Sequence, residues 1–155
     1  MKRFLKILLA VFLILAGVLI VMGYKQFSLP DSSEMKVFFL EHQPAFKQKN
    51  ASILTTLERQ GRIATTGNPE IGYKWLQIEP EHYQPGQPLV IRYYTHLRGL
   101  GVGGFGTGIA YMSPGATERL YPTIEAMDKD AKKIEGFLGY SPISGNWYSF
   151  RWEAD

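Results

Sequence analysis

The sequence predicts an α+β protein, in which an N-terminal transmembrane helix precedes a kinked amphipathic helix packed on an antiparallel sheet of about four or five strands. Three observations support this prediction. A cationic N-terminus leads into a long apolar run, helical periodicity follows, and the rest of the chain alternates apolar and polar residues between turn signals. We therefore divide the chain into an anchor (residues 1–24), a connector (25–30) and a folded α+β domain (31–155).

The N-terminal segment has the length and charge pattern of an uncleaved signal-anchor. About 20 helical residues cross a hydrocarbon layer roughly 30 Å thick, and residues 4–23 provide that length. A cleaved signal peptide is the alternative, but its apolar region is typically about 7–15 residues long and ends at a small-residue site. Because three cations, Lys2, Arg3 and Lys6, lie at the N-terminal end of the segment and Lys25 alone lies just after it, we expect the N-terminus in the cytoplasm. The chain is then a single-pass inner-membrane protein whose domain is extracytoplasmic.

The next segment has helix start and stop signals at its two ends. Asp31, Ser32 and Ser33 are favourable N-cap residues, and Gly61 is a stop signal. An apolar stripe at spacings of three and four predicts the buried face of this helix: Met35, Phe39, His42, Phe46, Lys49, Ile53 and Leu57. Pro44 lies inside the pattern and lacks a backbone N–H, so we expect a kink or a break into two helices near residues 41–43.

Past Gly61 the period changes to two, which predicts strands. The strand candidates are residues 71–79, 88–98, 105–113, 140–143 and 147–152, with a turn at Gly145 and Asn146 between the last two. Residues 122–135 have weaker helical spacing. In the second strand Val90, Arg92, Tyr94, His96 and Arg98 share one face, which we expect to be the wetter one.

The run of residues 99–108, GLGVGGFGTG, matches the dinucleotide-binding pattern G-x-G-x-x-G twice. That site needs a helix after its third glycine, because the helix N-terminus holds the pyrophosphate. A strand pattern follows Gly104 instead, so we interpret the run as a hairpin turn. Gly106 and Gly108 leave one strand face bare, which indicates a close approach to the backbone. Either the protein's own helix or a neighbouring aromatic residue packs there, or a partner chain or ligand does.

The sequence predicts no catalytic, cofactor-binding or metal-binding residue. It has no cysteine and no G-x-S-x-G or S-x-x-K motif, and its three histidines, His42, His82 and His96, are far apart. The net charge of +3 comes from the N-terminal segment, and the rest of the chain is close to neutral. We therefore expect no nucleic-acid binding.

Aromatic residues concentrated in the strands favour protein binding. The candidate partner-binding residues are Tyr94, His96, Gly106, Gly108, Trp147 and Trp152. The leading hypothesis is a non-enzymatic, membrane-anchored envelope domain that binds a protein partner, as an accessory subunit, an assembly factor or an immunity or inhibitor protein. The alternative is a small-molecule or lipid-binding domain, whose pocket would combine the bare glycine face with Tyr93, Tyr111 and Trp147. An enzyme is the third choice.

Overall fold

The computed structural model describes residues 32–63, 67–98 and 104–154, together with Ile14 and Gly17. Its elements are α1 (Ser32–Gln60), β1 (Trp75–Glu79), β2 (Val90–Arg98), β3 (Phe105–Met112), α2 (Ile124–Ala131), β4 (Leu138–Ser144) and β5 (Trp147–Glu153). The strands form one sheet in the order β1-β2-β3-β5-β4, and every neighbouring pair is antiparallel. Two helices and a five-stranded antiparallel sheet confirm the α+β prediction.

The predicted anchor, apart from Ile14 and Gly17, and the predicted connector lie outside the described residues. In the part of the chain that the structure describes, no helix is long and apolar enough to cross a membrane. The first three glycines of the glycine-rich run, Gly99, Gly101 and Gly103, also lie outside this part. The hairpin is nevertheless confirmed, because β2 and β3 pair antiparallel up to Arg98 and Phe105, and the second half of the run belongs to β3.

Helix α1 buries the apolar residues of the stripe that its spacing predicts, whereas His42 and Lys49 of the same stripe are half-buried. Met35, Phe39, Phe46, Ile53 and Leu57 are each at most 3% exposed. The expected break into two helices is wrong, since α1 runs uninterrupted through Pro44. Proline costs the helix one backbone hydrogen bond, but apolar residues on both sides of it belong to the same core, and this packing holds the two halves in one helix. A bend of the helix axis at Pro44 stays a prediction.

The core lies between α1 and one face of the sheet, which we call the helix-side face. The strand residues in this core are Leu76, Ile78, Ile91, Tyr93, Ile109 and Trp147. A buried hydrogen bond connects β2 to α1 across this core: the Tyr93 hydroxyl donates to Asn50 Oδ1 at 2.9 Å. Helix α2 covers the β4 and β5 end of the same face, where its Asp128 lies 3.3 Å from Arg151 of β5.

The opposite face of the sheet, which we call the loop-side face, is partly covered by the segment between β3 and α2. Ala116 of this segment packs on a buried cluster formed by Val90, Tyr94, Ala110, Met112, Tyr140 and Phe150. Further along, the segment pairs with the outer edge of β4: the Tyr121 N–H donates to the Tyr140 carbonyl at 2.7 Å, and the Tyr140 N–H donates to the Arg119 carbonyl at 3.0 Å. This loop thus closes both an edge and part of a face.

Candidate partner-binding surface

The bare face of strand β3 is occupied by aromatic rings from the neighbouring strands. A Cβ on Gly106 would lie 2.8 Å from Cδ1 of Tyr94, and a Cβ on Gly108 would lie 3.1 Å from Cε1 of Phe150. The same Cβ on Gly108 would also lie 2.0 Å from the backbone oxygen of Tyr93. Of the explanations open at these two glycines, packing by aromatic residues of the protein itself is therefore the one observed.

These rings continue across the sheet as a layer. The Tyr94 and Phe150 centroids are 4.8 Å apart in an edge-to-face arrangement, and Tyr140 follows 6.1 Å beyond Phe150. The Tyr94 hydroxyl donates to Gln77 Oε1 at 2.8 Å, which satisfies its polar end at the rim of the layer. Burial raises the pKa of both Tyr94 and Tyr140 above the ordinary value, so both phenols stay neutral.

A buried arginine ties the covering loop to this layer. Arg92 donates from Nη1 to Glu79 at 2.7 Å, from Nη2 to Glu118 at 3.3 Å, and from Nε to the Tyr140 hydroxyl. Its guanidinium carbon lies 5.6 Å from the centre of the Tyr140 ring, within reach of a cation–π interaction.

Burial by itself would lower the pKa of Arg92, but the Tyr140 and Glu79 oxygens raise it above its usual value, so the charge is kept. Glu118 belongs to the loop segment, and burial raises the pKa of its carboxyl although the Arg92 charge opposes this. With only 2% of its side chain exposed, Arg92 holds that segment on the sheet.

The expectation of a wet face on β2 is therefore wrong for its first half. Val90, Arg92 and Tyr94 are 4%, 2% and 6% exposed. The reason is the covering loop, which supplies both an apolar contact and a carboxylate for the arginine. An alternating pattern on one strand carries no information about a loop that is distant in sequence.

Beyond the loop, one end of the loop-side face stays open. The register places Leu97, Gly106, Trp152 and Leu138 in one row across β2, β3, β5 and β4. Trp75 of β1 lies directly opposite Tyr94 in the next row. Trp75 is 48% exposed and Leu97 is 37% exposed, while Trp152 and Leu138 are half-buried. We call these four residues, Trp75, Leu97, Leu138 and Trp152, the open patch.

Four of the six predicted binding residues lie at this surface. Tyr94, Gly106 and Gly108 form its buried floor, and Trp152 is part of the open patch itself. Trp147 lies instead on the helix-side face, where it is 6% exposed and its ring centroid is 5.0 Å from that of Phe39. The structure therefore separates Trp147 from the other aromatic residues that the sequence groups with it.

His96 is separated from the patch by a bulge in β2. The register between β2 and β3 shifts between Tyr94 and His96, so that His96 pairs with Thr107, whose side chain is on the helix-side face. Its Nδ1 lies 3.1 Å from the Thr95 hydroxyl. Burial and the Lys74 charge lower the pKa of His96, and the Glu34 charge opposes them. A strict alternation, which ignores bulges, put His96 on the wrong face.

The same bulge brings Leu97 onto the open face, and sequence reasoning missed it together with Trp75 and Leu138. Trp75 does alternate with the buried Leu76 and Ile78, so the exposed face of β1 could have been read from that strand. The exposure of Leu97 could not have been predicted in this way, because no residue type in β2 indicates the bulge.

The pocket that the alternative hypothesis requires does not form. Tyr93 and Trp147 lie on the helix-side face, opposite to the bare glycines, and both pack against Phe46 of α1. Tyr111 joins them with its centroid 5.4 Å from that of Trp147. These three residues and the glycine face therefore cannot line one cavity. Among the described residues, no group of three or more His, Asp or Glu side chains is arranged to hold a metal ion.

Comparison of the chain with protein-family models, with curated proteins and with solved structures finds no match. The fold and the open patch thus carry the functional argument. They define an α+β domain in which two helices cover one face of the sheet. On the other face a loop covers one part, and the open patch is left exposed.

Proposed function

We propose that this chain is a non-enzymatic, membrane-anchored envelope domain that binds a protein partner through the open patch. The observation that carries the proposal is the exposure of Trp75 and Leu97 beside Trp152, on a face whose other half the protein covers with its own loop. The binding role is that of an accessory subunit, an assembly factor or an immunity or inhibitor protein.

The composition of the open patch supports a protein as the partner. Tryptophan is enriched among the residues that dominate binding energy at protein interfaces, and such residues cluster within a polar rim. Here Gln77 is exposed on the same face of β1 as Trp75, two residues further on, and provides a polar rim group. Gly106, between Leu97 and Trp152, has no side chain, and the Tyr94 ring and the Leu97 side chain occupy the space that its Cβ would take. The apolar side chains therefore follow one another across the strands, and an exposed apolar surface of this kind suits another folded protein.

The sequence of the N-terminal segment supports the anchored location. An apolar run over residues 4–23 with cations before it favours a single span with the N-terminus in the cytoplasm and the domain outside, at the inner membrane. To test this, a reporter active only outside the cytoplasm is fused after Asp155, and the N-terminus of the mature protein is sequenced. We expect an active reporter and a mature chain that retains Lys2; a mature N-terminus near Tyr24 would contradict the anchor.

The patch is tested by replacing Trp75 and Leu97 together with serine and by purifying the full chain from its native membrane in mild detergent after brief crosslinking. We expect the wild-type protein to retain a stoichiometric protein partner and the double variant to lose it. Leu120→Ser is the matched control, because Leu120 is 56% exposed at a different place and its loss should leave binding intact. A partner retained by the double variant, or a small molecule in place of a protein, would contradict the proposal.

A further inference from the structure

The outer face of α1 exposes two large apolar side chains near its N-terminus. Val37 is 56% exposed and Leu40 is 52% exposed, and residues three apart on a helix are neighbours on its surface. Pro44, one turn further on, is exposed on the same line. This line is on the opposite side of α1 from the stripe of Phe39 and Phe46, which the core buries.

The exposed residues Val37, Leu40 and Pro44 lie close in sequence to the predicted anchor, and this limits which surfaces they can contact. The connector and Asp31 are seven residues that reach at most about 25 Å when fully extended. Leu40 lies about 12 Å along α1 from Ser32, at a rise of about 1.5 Å per residue. If residues 1–24 are anchored in a bilayer, the exposed part of α1 therefore stays within reach of the surface of that bilayer.

We propose that the outer face of α1 rests on the membrane that holds the anchor, with Val37 and Leu40 inserted among the lipid headgroups. This inference rests on the anchored location proposed above. Apolar side chains on one helix face bind the interface by burying their area at the boundary between headgroups and acyl chains. The anchor makes the contact intramolecular in effect, so a small apolar area is sufficient.

The charges beside this line indicate which lipids matter. Lys36 and Lys47 are exposed on one flank, and Glu34 and Glu41 are exposed on the other. Because the two signs balance, anionic lipid is not required and apolar insertion dominates. The loop-side face lies across the sheet from α1, so this orientation points the open patch away from the membrane, where an extracytoplasmic partner can reach it.

The experiment uses the full chain in nanodiscs of phosphatidylcholine and phosphatidylglycerol. Since the protein has no cysteine, Leu40→Cys can be labelled with a single environment-sensitive fluorophore. Thr117→Cys is the matched control, because Thr117 is exposed on the loop that covers part of the loop-side face. We expect phosphatidylcholine carrying a nitroxide on its upper acyl chain to quench most of the Leu40 label's fluorescence and little of the control's. Adding Val37→Ser should reduce the quenching at Leu40.

Three other outcomes would overturn the inference, and they differ from one another. If the chain stays in the nanodisc but lipid quenches both labels equally weakly, α1 does not touch the bilayer and the anchor still stands. If the Leu40 label is shielded from aqueous iodide without lipid quenching, a second copy of the chain covers this face. If the full chain separates from the nanodiscs during gel filtration, the anchored location itself fails.

Discussion

Replacing Gly108 with alanine tests the packing explanation of the glycine-rich strand most directly. The new Cβ would lie 2.0 Å from the Tyr93 oxygen and 2.9 Å from the Tyr93 carbonyl carbon, and both atoms belong to the backbone of β2. Strand β2 pairs with β1 and β3 on its two sides, so it cannot move without disturbing the sheet. Overpacking typically costs about 1–3 kcal/mol where side chains adjust, and we expect about 3 kcal/mol or more here.

Two further variants set the scale for this loss. A Cβ at Gly106 meets the ring of Tyr94 at 2.8 Å, and a ring can shift, so Gly106→Ala should cost less than Gly108→Ala. Gly145 has a φ of +57° and nothing within 4 Å, so Gly145→Ala adds only backbone strain of about 1–2 kcal/mol.

Urea unfolding of the full chain in detergent, followed by tryptophan fluorescence, measures these differences. Trp147 is buried in the core and reports its loss. With a slope of about 1–3 kcal/mol/M, a loss of about 3 kcal/mol lowers the midpoint by about 1–3 M. Equal midpoints for Gly108→Ala and Gly145→Ala would refute the packing argument. A wild-type midpoint that rises with ATP or NAD, and does not rise in Gly108→Ala, would show a phosphate site instead.

Three more predictions use the same unfolding measurement. Phe46→Ala should destabilise by about 3–5 kcal/mol, because Phe46 is fully buried against Tyr93 and Trp147, whereas Lys47→Ala should change little. Since the folded state lowers the pKa of His96, the wild type should lose stability as pH falls below about 6.5, and His96→Gln should lose less; parallel pH curves would contradict this. Arg92→Ala should cost about 1–3 kcal/mol, because the buried Tyr140 hydroxyl and the partly buried Glu118 carboxylate lose their shared donor.

Much of the fold follows from local periodicity in the sequence. The spacing of Phe39, Phe46 and Ile53 identifies the buried side of α1, because a helix that packs on a sheet needs one continuous apolar stripe. The five strands lie within or close to the segments of alternation, and Gly145, at positive φ, turns the chain between β4 and β5. These features depend on residues close to each other in the chain.

The surface could be predicted only in part, because its remaining features depend on distant residues. Arg92 is buried because Glu118, 26 positions later, lies over it. His96 and Leu97 lie on the faces opposite to those that strict alternation predicts, because a bulge shifts the register between β2 and β3. The separation of Trp147 from Trp152 is different, because it follows from the sequence alone: the two residues are an odd number of positions apart in one strand, so alternation places them on opposite faces.

The strand order of the sheet also affects the order in which the strands pair during folding. Strands β4 and β5 form a local hairpin, but the inner strand of that hairpin is the later one, β5, and it must find β3 across the intervening loop and α2. Such long-range pairing is slow compared with hairpin closure. Until it occurs, β3 presents an unpaired edge that is rich in glycine and apolar residues, which is the kind of edge that recruits strands from other chains. Aggregation during synthesis therefore depends on how quickly the β4–β5 hairpin docks on β3.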